Sequence, residues 1–308
     1  MSVIGTVKKG KKIQWATVIF IAFHFIGPLF NHIVFFYVQN SYSLVMAFQT
    51  TIDNKIVWTL DNFKWFFNSL VSEGGIMSEA FLNTALWWFL SVILTIVSMF
   101  TSFFLYMKLP GHKFFKIAFF LPGLLSPIVF SYIVERILSV DGFIAPIVQK
   151  IEGLDYVPEL LYDSRYAMKT LMAKTIVFGI SSGMLVTVGT MSRIPDSVIE
   201  SAKLDGANLF QLAIMIVFPL IMPVIAISIC QTIAGLFSAN GGEFLYTKGA
   251  NGTMTISTWQ YLQIMGSRPN SASHNRVSAV GWLITLVAVP LTLLARKIAN
   301  RISGEVEY

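Results

Sequence analysis

The residue types that most often carry chemistry are thinly spread in this chain. His24, His32, His112 and His274 have no cysteine or carboxylate companions at metal-ligand spacing, so no metal centre is expected. The single cysteine, Cys230, lies inside an apolar run, permits no internal disulfide and reads as a small buried hydrophobe. No nucleophile stands beside a plausible base. Gly5 to Lys12, GTVKKGKK, nearly spells a phosphate-cradling loop, but Lys12 takes the place of the hydroxyl residue and no strand precedes it. The expectation is a chain with no enzymatic site, cofactor or metal of its own.

What does recur is uncharged polar side chains at helical spacing in apolar surroundings. Asn83, Trp87, Ser91, Thr95, Ser98 and Ser102 repeat every three or four residues, and Ser228, Gln231, Thr232, Gly235 and Ser238 form a second series. Polar groups facing lipid are unfavourable, so both stripes should point into protein or along a watery path. Helix packing through interhelical hydrogen bonds explains such residues as well as substrate contact does. Gln231 is the foremost candidate contact, with Ser228 and Thr232 beside it. Gly179 and Gly183 give a GxxxG that reads as close helix packing, and the hydroxyls of Ser181 and Ser182 are further candidates for the path.

The elements that must carry these stripes are membrane spans. Of 308 residues, 55% are hydrophobic and 12% charged, against roughly a quarter charged in soluble domains; mean hydropathy is +0.68. Six stretches approach the about 20 apolar residues a spanning helix needs: 15–38, 80–107, 114–138, 175–191, 211–237 and 277–295. The first follows Lys8, Lys9, Lys11 and Lys12 but is long and lacks a small-residue cleavage site, so an uncleaved span is expected.

The net charge of +6 falls mainly between apolar runs, which fits loop cations that orient a membrane protein rather than a nucleic-acid surface. Both basic ends, including Arg296, Lys297 and Arg301, are expected in the cytoplasm, which an even number of spans allows. Short inner loops then carry Lys108, Lys113, Lys116, Arg193 and Lys203, and the longer segments 39–79, 139–173 and 239–276 face outward as a small cap. Lys174 is expected just outside the fourth span with its amine snorkelling outward. Glu135 and Arg136 mark the outer end of the third, where interfacial anchoring is the simpler reading beside substrate contact.

A carrier without an ATP site draws on an ion gradient or on a separate ATPase. Ion-coupled carriers place carboxylates or broken helices near the midplane, and no acidic residue falls in the middle of any predicted span, which favours the separate ATPase. A non-transporting membrane scaffold is the other alternative. Between the fourth and fifth spans, residues 193–211 read as a short surface helix, a turn and another helix. Pro195, Asp196 and Ser197 suit a helix start, and Asp205-Gly206 is a turn signal. Val198, Ile199 and Ala202 form an apolar face while Glu200 projects an anionic handle, a shape suited to a protein groove.

This segment resembles the EAA loop of binding-protein-dependent ABC permeases, whose pattern is Glu-Ala-Ala, three residues, Gly and a downstream Pro. Here Glu200-Ser201-Ala202 precedes Gly206, Pro219 and Pro223, with Ser201 replacing the first Ala, and Lys203 to Ala207 has the xxDGA form of carbohydrate permeases. Weaker resemblances follow in order: Leu60-Asp61-Asn62-Phe63, Asn83-Thr84, Phe114-Phe115-Lys116 with Pro122, and Gly241-Gly242, after which Glu243 stands where a Pro is usual. The resemblance implies an all-α membrane protein of the ABC type I importer (MetI-like) fold with six transmembrane helices. Its domains would be a basic tail at 1–14, a first helix at 15–38 that wraps a partner, a transmembrane domain at 79–298 and a tail at 299–308. It implies a carbohydrate permease in the cytoplasmic (inner) membrane of a bacterium, with phosphoester, peptide or polyamine as alternative solutes. The implied partners are a second permease subunit in a heterodimer, two cytoplasmic ABC ATPases carrying ATP and Mg, and an extracytoplasmic solute-binding protein. Glu200, Ser201, Ala202, Asp205 and Gly206 would couple to the ATPases.

Overall fold

The computed structural model describes residues 15–52, 55–72, 75–180, 183–235, 238, 242–266 and 271–303. The N-terminal lysines, Ser181, Ser182 and Gly241 lie outside the described residues.

Four helical stretches are long and apolar enough to cross a membrane, 19–47, 76–106, 167–191 and 272–297, and two bent helix pairs bring the number to six if each is one span. The first stretch consists of α1 (Trp15–Asn31), a π-helical segment (His32–Val38) and α2 (Gln39–Ala47). It runs well past the predicted end at Val38. Nearly every described side chain on it is exposed, as expected of a helix that meets lipid or another subunit rather than its own core.

A hairpin, β1 (Gln49–Ile52) and β2 (Lys55–Trp58), departs from the all-helical expectation. Its β-branched residues Thr50, Thr51, Ile52, Ile56 and Val57 account for that locally. After α3 (Asp61–Val71) comes the 31-residue α4 (Ile76–Tyr106), about 46 Å long at 1.5 Å per residue.

The third predicted span is not one rod. α5 (His112–Leu124) and α6 (Pro127–Leu138) meet at 112°. Pro127 excludes helical backbone at the preceding residue, and Leu125 and Ser126 are accordingly extended. Beyond α6 lie α7 (Ile144–Glu152) and α8 (Ala167–Gly179). α8 begins eight residues before the predicted fourth span, which places Lys174 inside the helix, half-buried, and not beyond its end. Lys174 Nζ sits 5.1 Å from the centre of the Tyr246 ring and within electrostatic reach of Glu243, so protein replaces the water it was expected to seek.

α9 (Met184–Met191) follows Gly183, whose φ of +75° is left-handed. Next come α10 (Asp196–Leu204), α11 (Leu209–Gln211), a π-helical segment (Leu212–Val217) and α12 (Phe218–Leu220). This last run meets α13 (Met222–Ala234) at 82°, pivoting on Ile221 between Pro219 and Pro223. At 13 residues α13 is about 20 Å long, short of an about 30 Å hydrocarbon layer, and the region predicted as the fifth span, 211–237, is a bent pair over its described residues. α14 (Glu243–Tyr246), α15 (Ile256–Met265) and the 33-residue α16 (Ser271–Ser303) complete the described chain.

Three hydrophobic clusters hold the fold. Two lie at the end where α4 begins: one joins Trp87 to Val134, Leu138, Leu160, Leu171 and Tyr246, the other joins Phe66 and Met77 to Ile256, Trp259 and Val280. Segments 61–71, 144–166 and 243–265 thus form a packed cap on the helix ends. The third cluster lies at the other end and contains Phe103, Met191, Ile199, Ala202, Leu212, Val217, Phe218, Ile221 and Ile225.

Candidate substrate path and coupling surface

The polar stripe on α4 divides into parts with different work. At its start Asn83 Nδ2 donates to the carbonyls of Gly252 (3.0 Å) and Met254 (2.9 Å), and Thr84 Oγ1 accepts from the Ile256 amide at 2.9 Å. These bonds pin the 250–256 loop, in which Asn251 and Gly252 have left-handed backbone, to the first turns of the helix. Trp87 is buried in the cap cluster. Ser91 and Ser102 donate back to carbonyls one turn earlier, as hydroxyls in apolar helices do.

Thr95 and Ser98 do something else: with Met99, Gly183, Thr187, Ile225, Ser228, Gln231 and Thr232 they line a cavity of about 290 Å³ between α4, α9 and α13. The three predicted path residues Ser228, Gln231 and Thr232 therefore share one cavity with Thr95, and Thr95 Oγ1 lies 3.2 Å from Thr232 Oγ1. Trp88 Nε1 donates to the Thr232 carbonyl at 3.0 Å, and Thr232 and Ser228 each donate to a carbonyl four residues earlier. These bonds fix the hydroxyl rotamers on α13. None of the lining residues carries a charge. Thr187, one turn beyond Gly183, was not singled out in the sequence, where a lone Thr in an apolar run has no distinguishing signal.

The GxxxG reading divides in the same way. A methyl on Gly179 would stand 3.1 Å from Leu94, so that glycine does permit close packing of α8 on α4. Gly183 meets nothing within 4 Å; it supplies a left-handed turn at the cavity wall and no helix contact. Ser238 lies apart from this cavity, in a groove with Thr285 and Thr292 of α16.

At the other end, α10 lays Ile199 and Ala202 into the third cluster, while Glu200, Ser201, Lys203 and Asp205 are exposed. Val198, expected on the apolar face, points outward. The predicted turn ends the helix in a Schellman motif: Gly206 N–H donates to the Lys203 carbonyl (3.1 Å) and Ala207 N–H to the Ala202 carbonyl (3.0 Å), with Gly206 at φ +84°. The next helix opens on a capping box, Asn208 and Gln211 exchanging two 2.9 Å bonds. Leu204, 89% exposed, and Phe210, 66% exposed, flank Glu200's helix with unpartnered apolar surface. Sequence reasoning passed over both, because burial of a hydrophobe is decided by the tertiary fold.

The two regions are joined. Ile225 and Met99 line the polar cavity and also pack in or against the cluster that holds Ile199 and Ala202. The cluster beneath α10 is thus continuous in packing with the cavity wall.

Glu243, at the position where a Pro was expected, is fully buried. Its Oε1 accepts from Thr255 Oγ1 and, at 2.8 Å, from Thr258 Oγ1. In the cap beside it, burial and the nearby Glu135 push the Tyr246 phenol up to about 12. A hydrogen bond to Glu135 raises Tyr162, and one to Glu152 raises Tyr166. Glu135 and Arg136 are thus engaged locally, the first by Tyr162 at 3.0 Å and the second with Asp141 at 3.8 Å.

A family model described as "Binding-protein-dependent transport system inner membrane component" matches residues 114–306. Among curated proteins, the probable ABC transporter permease protein YesP of Bacillus subtilis is 24% identical over 191 residues, 62% of this chain and 61% of that one. The probable starch degradation products transport system permease protein AmyD of Thermoanaerobacterium thermosulfurigenes is 27% identical over 211 residues, covering 67% and 70%. The match to the first of these thus spans about three-fifths of that protein's length. A solved bacterial ABC transporter involved in the import of the acidic polysaccharide alginate shares the fold, at a TM-score of 0.75, 21% identity, and 94% and 99% coverage. So does a bacterial alginate ABC transporter in complex with an alginate pentasaccharide-bound periplasmic protein, at a TM-score of 0.73. With more than half its length matched and its helices arranged as described, this chain belongs to the family of binding-protein-dependent transport system inner membrane components.

Proposed function

We propose that this chain is the permease subunit of an ATP-driven importer that moves an uncharged oligosaccharide or related carbohydrate across the inner membrane. The observation that carries the reading is the continuity between the hydroxyl- and amide-lined cavity and the cluster beneath α10. Hydroxyl and amide groups are the partners sugar hydroxyls need, and an uncharged wall favours a neutral glycan over an acidic one. A relative named for transport of starch degradation products supports the substrate class.

In this reading the chain pairs with a second permease subunit to enclose the path, and its α10 sits in a groove on one of two cytoplasmic ATPases that bind ATP and Mg. An extracytoplasmic binding protein delivers the sugar at the cap end, as the complex of the alginate transporter with its periplasmic protein suggests. Both termini are cytoplasmic. Glu200 forms a charge-assisted hydrogen bond to a basic residue of the ATPase groove. Ser201, Asp205 and Gly206 present and terminate the helix that carries it, while Ala202 anchors it. ATP-driven closure of the ATPases shifts α10 and opens the cavity toward the binding protein; hydrolysis resets it.

The test is uptake of labelled maltooligosaccharide into proteoliposomes holding the complete transporter. ATP-dependent uptake that Glu200→Gln abolishes, while ATP hydrolysis persists, is expected. Uptake that ignores ATP but collapses with the proton gradient would refute the reading.

A further inference from the structure

A second cavity, of about 480 Å³, lies between α6, α7 and α8, away from the sugar path. Its walls are apolar, built from side chains such as Val134, Ile137, Val148, Ala173, Val177 and Phe178. Its position relative to the bilayer follows from α8. The spanning stretch runs from Ala167 to Met191, so the first turn of α8 is at its edge, where the hydrocarbon layer gives way to the lipid head groups. Lys169 is in that turn. From Lys169 through Ala173 to Val177 the exposed edge of α8 runs along the cavity about 12 Å into the hydrocarbon zone.

α7 roofs the cavity. It turns Ala145 and Val148 toward the core and leaves Phe143 (62% exposed), Ile147 (49%) and Ile151 (78%) outward at four-residue spacing. An apolar stripe of that kind beside a span is covered when the helix lies in the membrane interface. The groove is thus continuous with the lipid-facing surface. Its lining holds three charges: the exposed Lys169 and Glu152 at its mouth, and the half-buried Lys174, whose Nζ is turned away over the Tyr246 ring. Glu152 already accepts from the Tyr166 hydroxyl, and its carboxylate retains further lone pairs for an incoming donor.

We propose that this groove is a lipid site, taking one acyl chain of an ethanolamine phospholipid with the phosphate on Lys169 and the ammonium on Glu152. The pairing selects the head group: a quaternary ammonium has no N–H to give Glu152, and a glycerol head group has no positive charge.

The transporter, extracted mildly from nanodiscs containing equal amounts of ethanolamine, choline and glycerol phospholipids, is assayed for retained lipid by native mass spectrometry. Ethanolamine lipid should be retained about tenfold over the other two, the discrimination one charge-assisted hydrogen bond supplies. Ala173→Trp, which fills the groove, should lose that lipid, and the surface variants Lys169→Ala and Glu152→Gln should each remove the preference without unfolding the protein. Equal retention of the three lipids, a preference for the glycerol lipid, or undiminished retention in Ala173→Trp would overturn the proposal. None of these outcomes depends on which solute the transporter carries.

Discussion

Glu243 is a carboxylate with no solvent exposure, held by two threonine hydroxyls from the start of α15 and within reach of the Lys174 charge. Removing it leaves those two hydroxyls without their acceptor and takes an anion from the neighbourhood of Lys174, so Glu243→Ala should destabilise the protein by about 3 kcal/mol. Glu243→Gln, whose amide oxygen still accepts from the threonines, should cost less; thermal unfolding in detergent compares the two. The phenols nearby give a second test. A phenol whose folded value is raised above its unfolded value of about 10 stabilises the cap fully below that pH and ceases to do so as pH climbs through the folded value. Tyr246, pushed up to about 12, should be among the last tyrosines to ionise in a titration followed by ultraviolet absorbance, and Tyr246→Phe should delete that late step. Neutral-pH transport should be indifferent to it. Of the residues at this scale, Ser228, Gln231 and Thr232 were legible in the sequence because helical spacing marks one face. Glu243 was visible only as a departure from a pattern; its burial depends on Thr255 and Thr258, which no local rule connects to it.

At the scale of elements, the apolar runs were readable because a bilayer demands about 20 such residues in a row. Their bends were less so. The sequence was read as one span over 114–138, and only the packed structure shows that α5 and α6 part by 112° before Pro127; the pivot at Ile221 has no signature beyond Pro219 and Pro223. The first stretch ran on past Val38 through Gln39, Asn40 and Ser41, polar residues that hydropathy alone assigns to a loop. The α10 turn, by contrast, was written plainly. The three-residue gap before Gly206 exists because the helix must run one further turn past Glu200 before its left-handed terminator. Gly206 faces open space, so Gly206→Ala meets no clash and pays only the left-handed backbone penalty of about 1 kcal/mol. α10 should fray, and hydrogen exchange of the Lys203 to Ala207 amides should quicken by about fivefold. Gly179→Val should act differently, by separating α8 from Leu94 of α4, and should lower the unfolding temperature more than Gly206→Ala does.

For the whole molecule, one apolar cluster spans the distance between an exposed anionic helix and an uncharged polar cavity, and Ile225 belongs to both. Force applied at α10 has a packed route to the cavity wall, whereas the cap end is tied separately through Asn83, Thr84 and Glu243. The direct measurement is the ratio of ATP hydrolysed to sugar taken up, recorded together in proteoliposomes for the wild type and for Ile199→Ala, which hollows the cluster beneath α10 without touching the exposed face or the cavity. Hydrolysis close to the wild-type rate with uptake reduced about tenfold is predicted, since about 1.4 kcal/mol of lost coupling suffices for that. An unchanged ratio, whether both rates persist or both fall together, would contradict the claim that α10 drives the cavity through this cluster.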